Sequence, residues 1–349
     1  MMNRLLLLAS ILIFTAPDLT GQICMICEHP YPFQEAVYHL DQNRRKVVVL
    51  HNNTGQWSTL KLRTSLSNVT TTESYGSLLV IDEANDDVYA YSQTTNSWAK
   101  LNLNYTNDPI YVVNSRENFA IWEKSKNTVH AFSAKKGSWI GKRMSYHSNI
   151  PEIIESEGNF AIVDESRDEV HAFSKITGAW SSRKSSFSSS PTQLLSSYGN
   201  FVFTDQSKDE VHAFSGSMGK WASQRSSYTN QSIEVMHSCR NFAFVDDGKD
   251  DVYAFDSEKC IWLRQSISYQ NENIEVSEVH GNFIMVDDSK DVVYVFSRKK
   301  GSWLHQKISY NSSPIELTLN DQNLTFNDQN HRKLYLFNFK TGSWNQYRN

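Results

Sequence analysis

Pro151-Glu-Ile-Ile-Glu-Ser156, Gly158-Asn-Phe-Ala-Ile-Val-Asp-Glu165, Asp168-Glu-Val-His-Ala-Phe-Ser174 and Gly178-Ala-Trp-Ser-Ser-Arg-Lys184 are four short runs bounded by Gly, Asn, Asp or Ser. That punctuation marks strands, and no window carries the 3.6-residue period that a helix needs over ten or more positions. Phe160-Ala-Ile-Val163 and Val170-His-Ala-Phe173 are apolar at both alternating positions, so both faces of their strands should be covered. The pattern recurs along the chain. Trp57, Trp98, Trp139, Trp180, Trp221, Trp262, Trp303 and Trp344 stand 41 residues apart with no insertion or deletion between them.

A fixed period of this size means one supersecondary unit repeated, each unit covering the faces of its neighbours. Four strands per 41 residues exclude a helical solenoid, and the expected fold is an all-β propeller of four-stranded blades over residues 36–349. Counting from the tryptophans gives eight blades; seven blades and a fragment is the alternative. Calling the strands A to D, only seven A strands are legible, and the first unit is the incomplete one. The segment before it, Glu28-His-Pro-Tyr-Pro-Phe33, carries two prolines and would make an edge strand at best. The first blade should therefore have three strands, or have residues 23–35 laid along it.

Recurrence assigns roles. Phe119, Phe160, Phe201, Phe242 and Phe283 on strand B, and Phe132, Phe173, Phe214, Phe255, Phe296 and Phe337 on strand C, should pack blade on blade. Gly55, Gly137, Gly178, Gly219, Gly301 and Gly342, with Asn96 in the second unit, stand two residues before the tryptophan and predict a positive-φ turn between C and D. An acid occupies the position 16 before every tryptophan: Asp41, Asp82, Glu123, Asp164, Asp205, Asp246, Asp287 and Asp328. The expected role is to cap the B–C turn. An ion pair with the basic residues four after the tryptophan (Lys61, Arg143, Lys184, Arg225, Lys307, Arg348) would complete it. His130, His171 and His212 share one register, but Tyr89, Tyr253, Tyr294 and Tyr335 fill the same slot elsewhere. Equivalent positions on neighbouring sheets lie roughly 10 Å apart, too far to converge on one zinc. No metal site is predicted.

Asp164-Glu-Ser-Arg-Asp-Glu-Val-His-Ala-Phe173 and Asp328-Gln-Asn-His-Arg-Lys-Leu-Tyr-Leu-Phe337 resemble the hairpin of NHL repeats, and the spacings Tyr91 to Trp98 and Phe173 to Trp180 resemble the kelch repeat. Val163-Asp164 stands where kelch repeats carry a glycine pair. Thr177-Gly178-Ala-Trp180 is similar to the tryptophan-docking segment of quinoprotein propellers, with fewer residues between Gly and Trp. These resemblances imply a propeller, and they transfer no catalytic residue, cofactor or ligand.

Net charge of −4 offers no bulk attraction to nucleic acid or to anionic lipid. Arg4, the apolar run Leu5 to Phe14 and the polar stretch to Gln22 read as an export signal over residues 1–22, followed by an N-terminal segment, 23–35. No stretch is long enough for a membrane span. Export permits disulfides and makes the sequons at Asn52, Asn68, Asn104, Asn230, Asn311 and Asn323 candidate glycosylation sites. Cys24 and Cys27 lack the context of a redox or zinc motif. Cys239 and Cys260 fall in turns on one end of the same unit, where a disulfide is expected if their Cα atoms lie within about 7 Å.

Candidate functional residues are those that leave the pattern. Trp122 replaces an aliphatic residue beside Glu123, which replaces Asp. Glu234, His237, Glu275 and His280 lie on or beside strand A, where a central channel would be lined, with Glu152, Glu155, Glu278 and Glu316 as further carboxylates. No nucleophile elbow, phosphate loop or zinc-protease motif occurs. The expected function is therefore a secreted, non-enzymatic binding or scaffolding propeller for a protein or glycan ligand, without a cofactor. The alternative is a channel-mouth hydrolase, lyase or quinoprotein-like oxidoreductase using the strand-A carboxylates.

Overall fold

A computed structural model describes residues 35–43, 45–63, 66, 69–103, 110–145, 151–186, 194–227, 233–268, 275–308, 315, 317–328 and 330–348. The chain is an eight-bladed β-propeller array, 63% strand and 3% helix. Seven antiparallel sheets have four strands and one has three. The blades span residues 38–61, 69–102, 111–143, 153–184, 194–225, 235–266, 276–307 and 317–348. Blade 1 is the three-stranded one: its strands Tyr38–Asp41, Lys46–His51 and Gln56–Lys61 are B, C and D, and no A strand is described.

Blade 4 shows why the unit repeats. Its strands are Ile153–Ser156, Asn159–Asp164, Glu169–Ser174 and Ala179–Lys184, paired in order A to D. Register places Phe160 opposite Phe173 and Phe173 opposite Trp180, with Ala161, Ala172 and Ser181 in the next row. Adjacent rows face opposite sides of a sheet, so each blade has one large aromatic face and one small-residue face. Phe160, Phe173 and Trp180 pack onto Ala120, Val129, Ala131 and Ile140 of blade 3, large into small. Ring centroids of Phe160 and Phe173 are 6.1 Å apart, and those of Phe173 and Trp180 are 5.5 Å apart. The tryptophan then adds a polar tether to the preceding blade: the Trp180 Nε1–H donates to Ile140 O at 3.0 Å. The same bond runs from Trp139 to Ala99 at 3.3 Å, from Trp221 to Ser181 at 3.3 Å and from Trp303 to Leu263 at 3.0 Å.

The C–D glycines do adopt positive φ, from 55° at Gly178 to 68° at Gly55, and Asn96 and Cys260 take the same slot at 50° and 56°. The acidic row has a wider role than turn capping. Asp164 accepts the Ser166 hydroxyl of its own turn at 2.9 Å and also the backbone N–H of Ser145, where the chain leaves blade 3, at 2.8 Å. Asp205, Asp246 and Asp287 repeat the second bond with Ser186, Ser227 and Ser268 at 2.8, 3.0 and 2.9 Å. In these blades the acid straps one blade to the last. The expected ion pair with the basic row is corrected: the lysine three residues on accompanies Asp205, Asp246 and Asp287 instead, and Arg225 binds Glu210 at 3.0 Å. The reason is reach. The turn brings the i+3 lysine back over its own acid, while the strand-D side chain meets its cross-strand neighbour first. Asp164→Ala should cost about 1–3 kcal/mol, because the Ser145 N–H loses its buried acceptor. Urea midpoints of the variant would measure it.

The Cys239–Cys260 bridge is also corrected, since Cys260 is a free thiol. Cys239 sits in an A–B turn and Cys260 in a C–D turn, two strand spacings apart, or about 10 Å. That exceeds what a disulfide spans. Cys24 and Cys27 lie outside the described residues.

Both faces of the middle blades are covered, as strand B of blade 4 shows with Phe160, Ala161 and Ile162 all fully buried. Blades 1 and 8 break this expectation. In blade 1, Val47 and Val49 are buried while Val48 and Leu50 beside them are not. Strand B of blade 8 alternates likewise, with Leu324 and Phe326 buried and Thr325 and Asn327 open. No shared core joins blade 8 to blade 1 among the described residues, whereas Val47 packs with Leu78 of blade 2 and Val293 with Phe326.

Candidate functional site

Strand A enters from the end of the array that carries the B–C turns and leaves at the end that carries the A–B and C–D turns. This direction separates the off-pattern residues. Trp122 and Glu123 finish strand B at the B–C end, and both are buried. Trp122 fills the contact between blades 3 and 4 beside Met144 and Ile153. Glu123 is paired within its own blade with Lys126 Nζ at 2.7 Å and hydrogen-bonded to His130 Nε2 at 2.8 Å. They form a packed and paired position rather than a pocket wall. Glu234 and Glu275 are exposed just ahead of strand A in blades 6 and 7, also at the B–C end. His237 is exposed on strand A, and His280 stands in the A–B turn of blade 7 at the opposite end. The six residues are not brought together.

Two carboxylates on strand A, Glu73 and Glu155, act as latches between neighbours. Glu155 of blade 4 accepts the Ser115 hydroxyl of blade 3, and Glu73 of blade 2 accepts the Ala36 N–H of blade 1. The Glu278 carboxyl is pushed up by loss of solvent, with His237 and Ser238 of the preceding blade opposing the shift. Glu152 is exposed and Glu316 lies outside the described residues. The histidine row is bonded blade by blade: His171 Nδ1 meets Ser182 Oγ at 2.8 Å and His212 Nδ1 meets Ser223 Oγ at 2.7 Å.

A second group of departures is concentrated at the A–B end. Six of the seven described A–B turns, those of blades 2 to 7, join their strands through two residues at positive φ: Tyr75-Gly76 at 47° and 85°, Arg116-Glu117 at 30° and 66°, Glu157-Gly158 at 51° and 85°, Tyr198-Gly199 at 44° and 89°, Cys239-Arg240 at 33° and 82°, and His280-Gly281 at 49° and 82°. Two-residue hairpins of this kind prefer Asn, Asp or Gly at the first position, because other side chains pay a steric cost there. Here that position holds Tyr, Arg, Glu, Tyr, Cys and His in turn. Glu117 and Arg240 extend the cost to the second position. Turn formation alone does not explain this choice of residues.

The turns touch one another around the rim. Arg116 pairs with Glu157 of the next blade, and its guanidinium lies 5.9 Å from the centre of the Tyr75 ring of the previous one, within cation–π range. Lys175, half-buried at the C–D turn of blade 4, is held below its usual value by burial first and by Arg116 second. His280 Nε2 stands 3.6 Å from the Asp321 carboxylate of blade 8. The rim thus carries an aromatic or charged group at every blade from 2 to 8, with side-chain contacts from blade 2 to blade 4 and between blades 7 and 8. The sequence alone does not single these positions out, because other turns vary as well, as Ala134-Lys-Lys136, Lys175-Ile-Thr177 and Gly216-Ser-Met218 show between strands C and D.

No family model matches the chain, and no curated protein matches it. Among solved structures, virginiamycin B lyase from Staphylococcus aureus is 10% identical, over 74% of this chain and 89% of that one, with a TM-score of 0.27. BamB from Moraxella catarrhalis is 11% identical over 85% and 96%, with a TM-score of 0.26. Hsv2 from Kluyveromyces lactis is 12% identical over 90% and 98%, with a TM-score of 0.27. All three are β-propellers. At these identities and TM-scores the likeness says nothing about what this chain binds.

Proposed function

We propose that this protein is an exported, non-enzymatic binding or scaffolding propeller that holds a protein or glycan ligand on its A–B rim. The observation that carries the reading is the occupation of strained, positive-φ turn positions by Tyr75, Arg116, Glu157, Tyr198 and His280. A position that disfavours such side chains keeps them where they are used. Tyrosine and arginine are the residue types that dominate protein-binding hot spots, which favours a protein over a glycan. The strand-A carboxylates support the same reading, since Glu73 and Glu155 are engaged between blades rather than presented to a substrate.

Selection from a displayed peptide library, with a glycan array in parallel, tests the proposal. Ligands selected on the native protein should lose affinity at least about tenfold on Arg116→Ala or Tyr198→Ala, and should be indifferent to Lys184→Ala on the outer strand. Ligands that ignore every rim substitution, or no ligand at all from either source, would refute it.

A further inference from the structure

Strand D ends every sheet and is paired only with strand C, and its charge does not follow that of the chain. Asp and Glu outnumber Lys and Arg in the whole sequence, 38 to 34, yet the eight D strands hold eleven Lys or Arg and no Asp or Glu. The net charge of −4 averages this asymmetry away. An edge strand needs charge to resist pairing with another chain, but either sign serves that purpose. Edge protection therefore leaves the sign unexplained. Pairing with strand C explains part of it: Lys100 meets Asp87 at 2.7 Å, Arg264 meets Asp251 at 2.6 Å, and Glu210 takes Arg225 at 3.0 Å and Arg183 at 3.8 Å. The other seven basic side chains form no ion pair with a carboxylate among the described residues.

The excess is densest on blades 3 and 4. Residues 111–143, the whole of blade 3, carry seven Lys or Arg against two Glu, and one of those, Glu123, is buried and already paired. Strand D of blade 3 closes with Lys142-Arg143, and that of blade 4 with Arg183-Lys184. The two strands run side by side, tied by the Trp180 bond to Ile140, and Lys142 Nζ crosses between them to donate to Ser182 Oγ at 2.9 Å. Alternation along the strands turns Lys142 toward blade 4 and Lys184, on the same side as Trp180, back toward blade 3. Both therefore line one seam, which Glu169 alone faces from the strand C position opposite Lys184. Arg143 and Arg183 extend the row to either side, and Arg225 continues it on blade 5. Stacked sheets lie about 10 Å apart, so the cations form a line that crosses the strands from blade to blade.

Such a line fits a linear polyanion. On blades 3 and 4 no aromatic ring of strand D is exposed for a nucleic-acid base to stack on. Neither strand exposes a large apolar side chain that could insert among lipid headgroups. What remains is charge recognition: the arginine forks and lysine ammonium groups suit sulfate or carboxylate oxygens.

We propose that the outer wall formed by strand D of blades 3 and 4 binds a linear anionic polysaccharide, one bearing sulfate or carboxylate groups along its length. The four central residues stand at the B–C end of their strands, away from the A–B rim, and either surface can act without the other.

Fluorescence anisotropy of a labelled heparin fragment, titrated with the protein from about 0.05 to 0.3 M salt, provides the test. The native protein should bind, and its affinity should fall with salt as counterions are released. Lys142→Gln/Arg143→Gln/Lys184→Gln should weaken binding at least about tenfold at 0.15 M salt and lower the slope of log affinity against log salt by about two. Lys299→Gln/Lys300→Gln/Lys340→Gln, which removes the same charge from exposed C–D turns, should cost under about twofold. If the first variant fails to fold, Arg143→Gln/Lys184→Gln, both on exposed side chains, should still cost at least about fivefold. No binding at about 0.05 M salt, or equal losses from the two triple variants, would overturn the proposal. So would tighter binding to oligo(dT) or to phosphatidylserine vesicles than to heparin, which would assign the wall to a nucleic acid or a membrane.

Discussion

Taking the protein from pH 7 to pH 4 should remove about 4–6 kcal/mol of its stability, and replacing His171 and His212 with tyrosine should abolish most of that loss. Both rings are fully buried. Burial is the chief reason that each is pushed down to about 4; Lys142 and Arg167 add to the effect at His171 against Asp164, and Arg183 and Lys208 add to it at His212 against Glu210 and Asp205. The Nε2 atoms stand 3.6 and 3.5 Å from Glu169 and Glu210, too far to offset the lost hydration by a good hydrogen bond. The sign follows from proton counts. An unfolded histidine takes its proton near pH 6.5, and a folded one here only near 4, so between those values the unfolded chain binds more protons and stability rises with pH. Above 6.5 the curve is level. Each ring is worth about 2–3 kcal/mol across the window, at about 1.36 kcal/mol for every pH unit that separates folded from unfolded titration, less what relaxation around the charged ring recovers. Tyrosine is the natural replacement, since Tyr253 and Tyr294 fill the same slot in blades 6 and 7. Urea midpoints at pH 7, 5.5 and 4 would read the effect, and equal slopes for native and double variant would contradict it. Carboxylates act in another window. Burial opposes ionisation of Asp205, but the Ser207 hydroxyl, the Ser186 N–H and Lys208 outweigh it and hold the group low, so its contribution fades only as pH falls below the ordinary value near 3.9.

Truncating one aromatic rung should be nearly as damaging. Phe173→Ala should cost about 3–5 kcal/mol, because the ring is fully buried between Phe160 and Trp180 and its removal leaves a cavity that the flanking strands cannot close. The loss should spread to one neighbour rather than to the whole array: Phe173 faces blade 3, so hydrogen exchange should quicken in blades 3 and 4 before the far blades. Leu50→Ala, at the equivalent position of blade 1, should cost under about half as much in dilute solution, since that face is open. Chemical denaturation of the two variants, followed by exchange mapping, would check both the size and the asymmetry. An equal cost at Leu50 would mean that the blade 1 face is covered.

The scaffold is legible in the sequence because its causes are local and repeated. A Phe on strand B, a Phe on strand C and a Trp on strand D at constant spacing state both the strand period and the faces that must be covered. The positive-φ turn is readable from Gly178 and its equivalents for the same reason, since only the backbone at that position is at issue. The incomplete first unit is legible too, because Glu28-His-Pro-Tyr-Pro-Phe33 carries two prolines where a strand A would be expected. What cannot be read is any relation between units. The acidic row holds no sign that Asp164 binds the N–H of Ser145, because that contact depends on where the chain leaves the previous blade. Cys239 and Cys260 fall on one end of one blade by simple counting of strand directions, and the count does not include the two strand widths that keep them apart.

The candidate site shows the same division. Trp122 and Glu123 stand out as departures from the repeat, but one is packed and the other is paired with Lys126 and His130, so their difference is compensated within the fold. In the sequence the rim residues Tyr75, Arg116, Glu157 and Tyr198 look like ordinary turn variation. Their significance needs the φ angles, which show that the positions disfavour the residues they hold.

By itself the sequence determined the strand content, the 41-residue blade, the number of blades and the residues that face each neighbour, because all of these follow from short-range alternation repeated without a break. Only the tertiary structure decided which polar groups serve as straps, which turns gather into a rim, and that the outer faces of blades 1 and 8 stay open. Those are relations between residues about 20 to 300 positions apart; they depend on the angle and spacing at which successive sheets stack, and no local pattern encodes that geometry.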